Sequence, residues 1–277
     1  MNKLLKKNHT TILLTILLII GIGITSYPSL SEYYNSRHQT EIVSDYEKKV
    51  KSIDSNKKNN ILSNAKKYNE QLPKNVIPNL NLTDDQNISY KSELNVDKSG
   101  IMAFVEIPKI SKKLPIYHGT SKEVLEVAIG HIPGTSLPVG GLGTHAVISG
   151  HRGLPSAKLF TDIDQLENGD VFYIHVFNKK LAYEVDQILT VEPDDVSALK
   201  IEDKKDLVTL VTCTPYGVNS HRLLVRGHRI PYNKAGEVGI SEAILMEPLK
   251  VIAFISTLLA LIVLLFLKIW DLYRKLN

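Results

Sequence analysis

The stretch TLVTCTPYGVNSHRLLVRGHR, residues 209–229, decides how this chain is read. β-Favouring residues lead into Cys213, and Thr214-Pro215-Tyr216-Gly217 end that pattern at once. A second β-rich run, Arg222–Ile230, follows; alternation along it puts Arg222 and Arg226 on one face and Leu223 and Val225 on the other. Cys213 is the only cysteine among 277 residues, and it stands where a strand stops. Two readings are open: a packed thiol acting as a small hydrophobe, or a nucleophile.

The chain ends bear on that choice. Thr10–Leu30, TTILLTILLIIGIGITSYPSL, carries no charge and follows Lys3, Lys6 and Lys7. A cleaved signal peptide would show an A-x-A-like site after its apolar core, yet no alanine precedes Ala65, and Ser29-Leu30-Ser31 is a poor substitute. A retained anchor is therefore the expectation, with cleavage as the alternative. Val251–Leu267, VIAFISTLLALIVLLFL, is a second uncharged run; Lys268, Arg274 and Lys275 follow it. Basic residues beside both runs predict two spans with both termini cytoplasmic and the domain between them outside. Secreted proteins use cysteines mainly in pairs, so a single outward-facing thiol is deeply buried or reactive. The net charge of +4 comes largely from lysines in the first seventy-five residues, and no nucleic-acid partner is expected.

Six segments follow from the texture of the chain: an N-terminal anchor (1–31), a helical segment (32–72), a candidate lid loop (73–99), a β domain (100–232), a linker (233–249) and a C-terminal span with a basic tail (250–277). In the helical segment, Ile42, Tyr46, Val50 and Ile53 share one face; Ser52–Asn56 interrupts the pattern, and Ile61, Ala65, Tyr68 and Leu72 resume it. The pair reads as amphipathic, with lysines on the solvated side. Residues 73–99 show no period and are rich in Pro, Asn and Asp, which predicts a long loop.

From Ile101 onward seven runs read as strands: Ile101–Ile107, Leu114–His118, His145–His151, Asp170–Val176, Lys180–Val191, Leu207–Cys213 and Arg222–Ile230. Only Lys122–Ala128 and Ser156–Gln165 suggest short helices. Many strands and few helices predict a mainly β fold, a closed or nearly closed barrel.

A reactive cysteine needs a base or cation beside it. HAVISGHRGLPS carries His151 from an apolar strand into a glycine turn, a second strand end able to meet Cys213 at one rim; His221 is the other candidate. Acyl transfer also needs a group that stabilises an oxyanion, and Arg222 is the arginine nearest the cysteine turn. Thr212 and Thr214 are small and leave room for an extended peptide beside the thiol. Asp162 and Asp164 form no ligand pattern and read as surface charges, so neither a metal nor a cofactor is called for.

TLVTCTPYGVNSHRLLVRGHR, together with LPIYHGTS and GHIPGTSLPVGGLGTHAVISGHRGLPSAKLFTDID, resembles the sortases, specifically the class C, pilin-polymerising group. The family pattern is a TLxTC strand end with an arginine nine positions after the cysteine, and Arg222 holds that position. The resemblance is dense over residues 101–231 and implies a closed eight-stranded barrel with N-terminal helices and flanking transmembrane helices. It implies Cys213 as nucleophile, His151 as general acid/base, and Arg222 as the residue holding substrate and oxyanion. It implies a transpeptidase of Gram-positive bacteria that cleaves an LPXTG-like sorting signal between Thr and Gly and passes the acyl group to a pilin lysine. Pilin subunits and membrane lipid are the partners it implies.

Many class C enzymes carry an Asp-Pro-aromatic plug in a lid over the cysteine. Here residues 73–99 offer only Ile77-Pro78-Asn79 and the pair Asp84-Asp85, so a lid with another plug and an open site both stand. Within enzymes, the rival is a secreted cysteine peptidase or amidase that uses water as acceptor. Outside them it is a membrane-anchored assembly module with a structural thiol.

Overall fold

A computed structural model describes residues 2–232 and 246–276. It divides into two compact units, taken separately here. One holds the start of the first helix, through Tyr34, together with the C-terminal helix; the other begins at Asn35 and holds everything else described up to Tyr232.

Helix α1 (Asn2–Ser52) runs without a break across the expected boundary at residue 31. Asp54 then caps α2 (Ser55–Gln71), its carboxylate accepting from the amides of Asn56 and Lys57, so the interruption at 52–56 is a cap. The end of α1 packs on the barrel: Tyr46 Oη donates to the Met102 carbonyl (3.1 Å) and accepts from the Phe177 amide (3.0 Å). The buried Asn69 of α2 makes a two-way amide bond with the backbone of Leu137, at 3.0 and 2.7 Å. The amphipathic pair thus has its apolar side seated rather than solvated.

Residues 73–99 are not one loop. Asp84–Ser92 form α3, whose Thr83 and Gln86 build a reciprocal capping box, with Asp84 and Asp85 in the first turn where the helix dipole favours acids. Its Tyr90 is fully buried.

The barrel comprises β1 (Ile101–Ile107), β2 (Lys112–His118), β3 (Ile129–His131), β4 (Thr144–Ser149), β5 (Val171–Val176), β6 (Lys179–Val191), β7 (Asp206–Thr214) and β8 (His221–Ile230). It closes in the order β1-β2-β3-β4-β7-β8-β6-β5. The closed eight-stranded barrel is as expected, but the residue pattern had shown only seven strands. β3 is three residues long, too short for alternation to register, and follows the one-turn helix α4 (Lys122–Leu125), which makes the crossover to a parallel β2–β3 pair. The helix expected at Ser156–Gln165 is absent apart from a single 3-10 turn at Ile163–Gln165. Ala157, Leu159, Phe160 and Ile163 are instead buried anchors of an irregular segment, held to the turn after β4 by the Phe160 amide on the His151 carbonyl (3.2 Å).

α5 (Met246–Leu276) covers the C-terminal run, and residues 233–245 of the expected linker lie outside the described residues. Among the described residues one helix, α1, is long and apolar enough to cross a membrane; the apolar stretch of α5, Ile255–Trp270, is shorter.

Two buried histidines make the barrel pH-sensitive. His131 Nε2 faces the Ser136 carbonyl (2.8 Å), which can only accept, so that nitrogen carries the proton and Nδ1 takes the Tyr90 hydroxyl (3.0 Å). His145 is held likewise between the Lys200 carbonyl (2.8 Å) and the Thr209 hydroxyl (2.7 Å). Burial pushes each imidazole down to about 4 from 6.5. The unfolded chain therefore binds more protons between those values, and stability falls as pH drops from about 6.5 towards 4. We expect a loss of about 2 kcal/mol per histidine between pH 7 and pH 5. Urea midpoints at the two pH values check this; equal midpoints would contradict it.

Candidate active site

β4 and β7 are neighbouring parallel strands in which Ser149 partners Val211. His151 lies two residues beyond Ser149, and Cys213 two beyond Val211. They are therefore level at adjacent strand ends, with roughly 5 Å between the strand axes. Two bonds hold that alignment past the last pair: the Gly150 amide donates to the Val211 carbonyl (3.0 Å), and Thr212 Oγ1 donates to the Gly150 carbonyl (2.8 Å). Glycine is needed here, because a Cβ at residue 150 would lie 2.7 Å from Ile129 Cγ2 and 2.8 Å from the Phe160 ring.

The strand alternation decides which face these residues use. Val208, Leu210, Ile148, Leu223 and Val225 point into the barrel core. Val147, Val211 and Leu224 point outward and form a second apolar cluster with Leu199, which seats the β6–β7 segment on the barrel wall. Cys213 pairs with Arg222 in the β7–β8 register, directly after the Val211–Leu224 and Thr212–Leu223 pairs. Cys213 and Arg222 thus continue the outer face, and His151 follows just past the end of β4. The thiol is free and half-buried.

Arg222 bends over its own turn, one guanidinium nitrogen donating to the carbonyls of Asn219 (3.3 Å) and His221 (3.1 Å). Among the described residues it has no carboxylate partner, so its charge stays available to an anion. His221, the alternative base, pairs with Thr214 and so lies on the opposite face of the strand from Arg222. Its ring nitrogens are engaged by Ser220 Oγ (2.8 Å) and Glu192 Oε1 (3.2 Å). By register His151 is level with Cys213, while the ring nitrogens of His221 are already engaged.

The two threonines differ from each other. Thr212 is buried, and its hydroxyl is committed to Gly150, so it positions the His151 turn and offers no surface to a peptide. Thr214 is half-buried, its hydroxyl accepting from Arg152 (3.3 Å). Arg152 itself was not singled out from the sequence. Its side chain is only 10% exposed; it pairs with Asp164 and lies over the Tyr216 ring at 5.9 Å. Asp164 is therefore not a free surface charge but the partner that holds this arginine. One guanidinium joins the residue after His151 to the residue after Cys213, and the adjacency of His and Arg in GHRG was the available signal.

Ile77 is exposed and Pro78 buried, while Asp84 and Asp85 are exposed at the start of α3. The Asn75 amide donates to the Ile201 carbonyl (2.8 Å) and its side chain to Asp203 (2.6 Å). Those contacts tie the start of the segment to the Asp206 end of β7, roughly 25 Å along the strand from Cys213. Removing residues 76–90 would delete the buried Tyr90, so point changes are the better probe. Asp84→Ala/Asp85→Ala is expected to leave alkylation of native Cys213 within about twofold of wild type. A tenfold rise would show that α3 gates the thiol.

Fold and site together describe a closed β-barrel protein bearing a free thiol, an imidazole and a guanidinium at one rim. The Sortase domain model matches residues 105–230. Sortase D of Bacillus subtilis (strain 168) is 30% identical over 185 residues, spanning 65% of this chain and 88% of the relative. Among solved structures, sortase C1 from Streptococcus agalactiae is 49% identical, with TM-score 0.66, over 69% of this chain and 98% of that one. Sortase C of Streptococcus pneumoniae is 42% identical, with TM-score 0.62, over 69% and 97%. Sortase C-1 from Actinomyces oris is 43% identical, with TM-score 0.60, over 64% and 99%. The chain belongs to the sortase family, the cysteine transpeptidases, and these solved neighbours are class C.

Proposed function

We propose that this protein is a pilin-polymerising transpeptidase, anchored by two membrane helices with its barrel on the outer side. The observation that carries the reading is the level placement of His151 and Cys213 on adjacent parallel strands, with Arg222 paired opposite the cysteine on the same outer face.

The Cys213 thiolate attacks the carbonyl carbon of threonine in an LPXTG-like signal. Arg222 faces the oxyanion that forms, where a fixed donor is worth most. The Thr–Gly C–N bond breaks, and His151 gives the leaving glycine amine its proton. A pilin lysine amine then attacks the thioester, returns a proton to His151, and frees the thiol as the isopeptide bond forms. Amine must outcompete water at that second step, which places a premium on how the acceptor is presented.

The full chain, in neutral detergent with an LPXTG peptide and a lysine-bearing pilin domain, tests this by product mass. An isopeptide-linked product is expected; hydrolysed peptide alone would favour a peptidase, and no Cys213-dependent product would remove the enzymatic reading.

Arg152 is assigned here as the positioning residue of the pair. Arg152→Met is expected to lower kcat about tenfold with KM little changed, since it shifts His151 against Cys213 without touching peptide. Arg152→Lys should recover little, because a two-point bridge to Asp164 and Thr214 needs the guanidinium fork. Unchanged kcat in Arg152→Met would refute the role.

A further inference from the structure

An open cavity of about 920 Å³ lies at the end of the barrel away from Cys213. It is bounded by the turn after β3 and by the ends of β6, β7 and β8 that converge on Asp206 and Ile230. Leu142, Leu181 and Ile230 supply apolar wall, and Lys66 of α2, Lys179 of β6 and Arg229 of β8 stand around it. Leu142 is 77% exposed at the tip of its turn, beside these cations.

The carboxylates at the cavity are already committed. Asp186 takes a two-point bond from Arg226, at 2.9 and 3.1 Å. Asp206 accepts from the Gly141 amide (2.8 Å) and the Tyr183 hydroxyl (2.9 Å). Among the described residues, neither Lys66 nor Lys179 forms an ion pair. Burial holds the Lys179 ammonium below its ordinary range, and the charges of Lys66 and Arg229 push the same way. Lys66 and Lys179 therefore add positive charge at the cavity that no carboxylate among the described residues pairs, while Arg229 stands beside Asp206, over walls that suit methylene groups.

We propose that this cavity binds the phosphate headgroup of an anionic phospholipid, with phosphate oxygens among Lys66, Lys179 and Arg229 and the first methylenes against Leu142, Leu181 and Ile230. An amphiphile matches both halves of the lining at once. Arginine's planar fork suits phosphate oxygens, and lysines beside exposed leucine are the pairing that settles at a lipid headgroup layer. This inference rests on the membrane anchoring proposed above.

Native mass spectrometry of the full chain, offered equal phosphatidylglycerol and phosphatidylcholine in neutral detergent, tests the site. Wild type is expected to retain phosphatidylglycerol preferentially, by about tenfold, and Lys66→Gln/Lys179→Gln to lower that preference at least about fivefold. Parity in wild type, or a preference that survives the double substitution, would overturn the proposal. Hydrogen exchange of the unaltered chain in nanodiscs guards against a folding defect in the variant. Residues 139–142 and 228–231 should exchange more slowly with phosphatidylglycerol present than in pure phosphatidylcholine; equal rates overturn the site. Equal slowing by inorganic pyrophosphate in pure phosphatidylcholine would mean a free-phosphate site and end the lipid reading. None of these readouts involves Cys213, so failure here is separable from failure of the transpeptidase reading.

Discussion

Cys213→Ala is expected to lower formation of both thioester and transferred product by at least about a thousandfold, with the fold intact. The side chain is half-buried at the end of β7 and makes none of the barrel's core contacts, so its loss should cost little stability. Cys213→Ser should not restore turnover: a serine hydroxyl stays protonated where a thiol ionises, and nothing beyond His151 is placed to activate it. His151→Ala should fall to a comparable level. On the proposed mechanism the two residues share one step across the β4–β7 pair, so Cys213→Ala/His151→Ala should be no worse than either alone. Additive losses would mean that they do not share a step.

Arg222→Ala is expected to reduce kcat about a hundredfold, the loss of one oxyanion donor. The register places Arg222 across from Cys213, and among the described residues its guanidinium has no carboxylate partner. Arg222→Lys should recover only part of the activity, since a point charge on a flexible stem cannot both hold the turn carbonyls and face the reacting carbonyl. Preserved kcat with raised KM in Arg222→Ala would show an arginine that binds peptide without stabilising the transition state.

Much of this was legible in the sequence because it is local. Alternation along 207–213 and 222–230 placed Cys213 and Arg222 at a shared strand end, and the GHRG turn did the same for His151. Information that depends on which strands are neighbours was not legible. Arg152 and Thr214 are 62 residues apart and meet only because β4 and β7 run parallel side by side. The same adjacency commits Thr212 to Gly150, a use that a small residue beside a thiol does not announce. β3 escaped because three residues cannot display a period. α3 escaped because its flanks are rich in Pro, Asn and Asp, although Thr83 and Gln86 carried the capping signature. The helix expected at Ser156–Gln165 failed for the opposite reason. Its apolar residues are spaced to meet the core from an irregular path, with Leu159 at φ 31°.

The most direct test of the central claim is the intact mass of the full chain mixed with an LPXTG peptide and then treated with hydroxylamine. Catalysis at Cys213 predicts an added peptide acyl mass, mapped to the Cys213 fragment, removed by hydroxylamine and absent in Cys213→Ala. An adduct on another residue, or one that persists in Cys213→Ala, would contradict it.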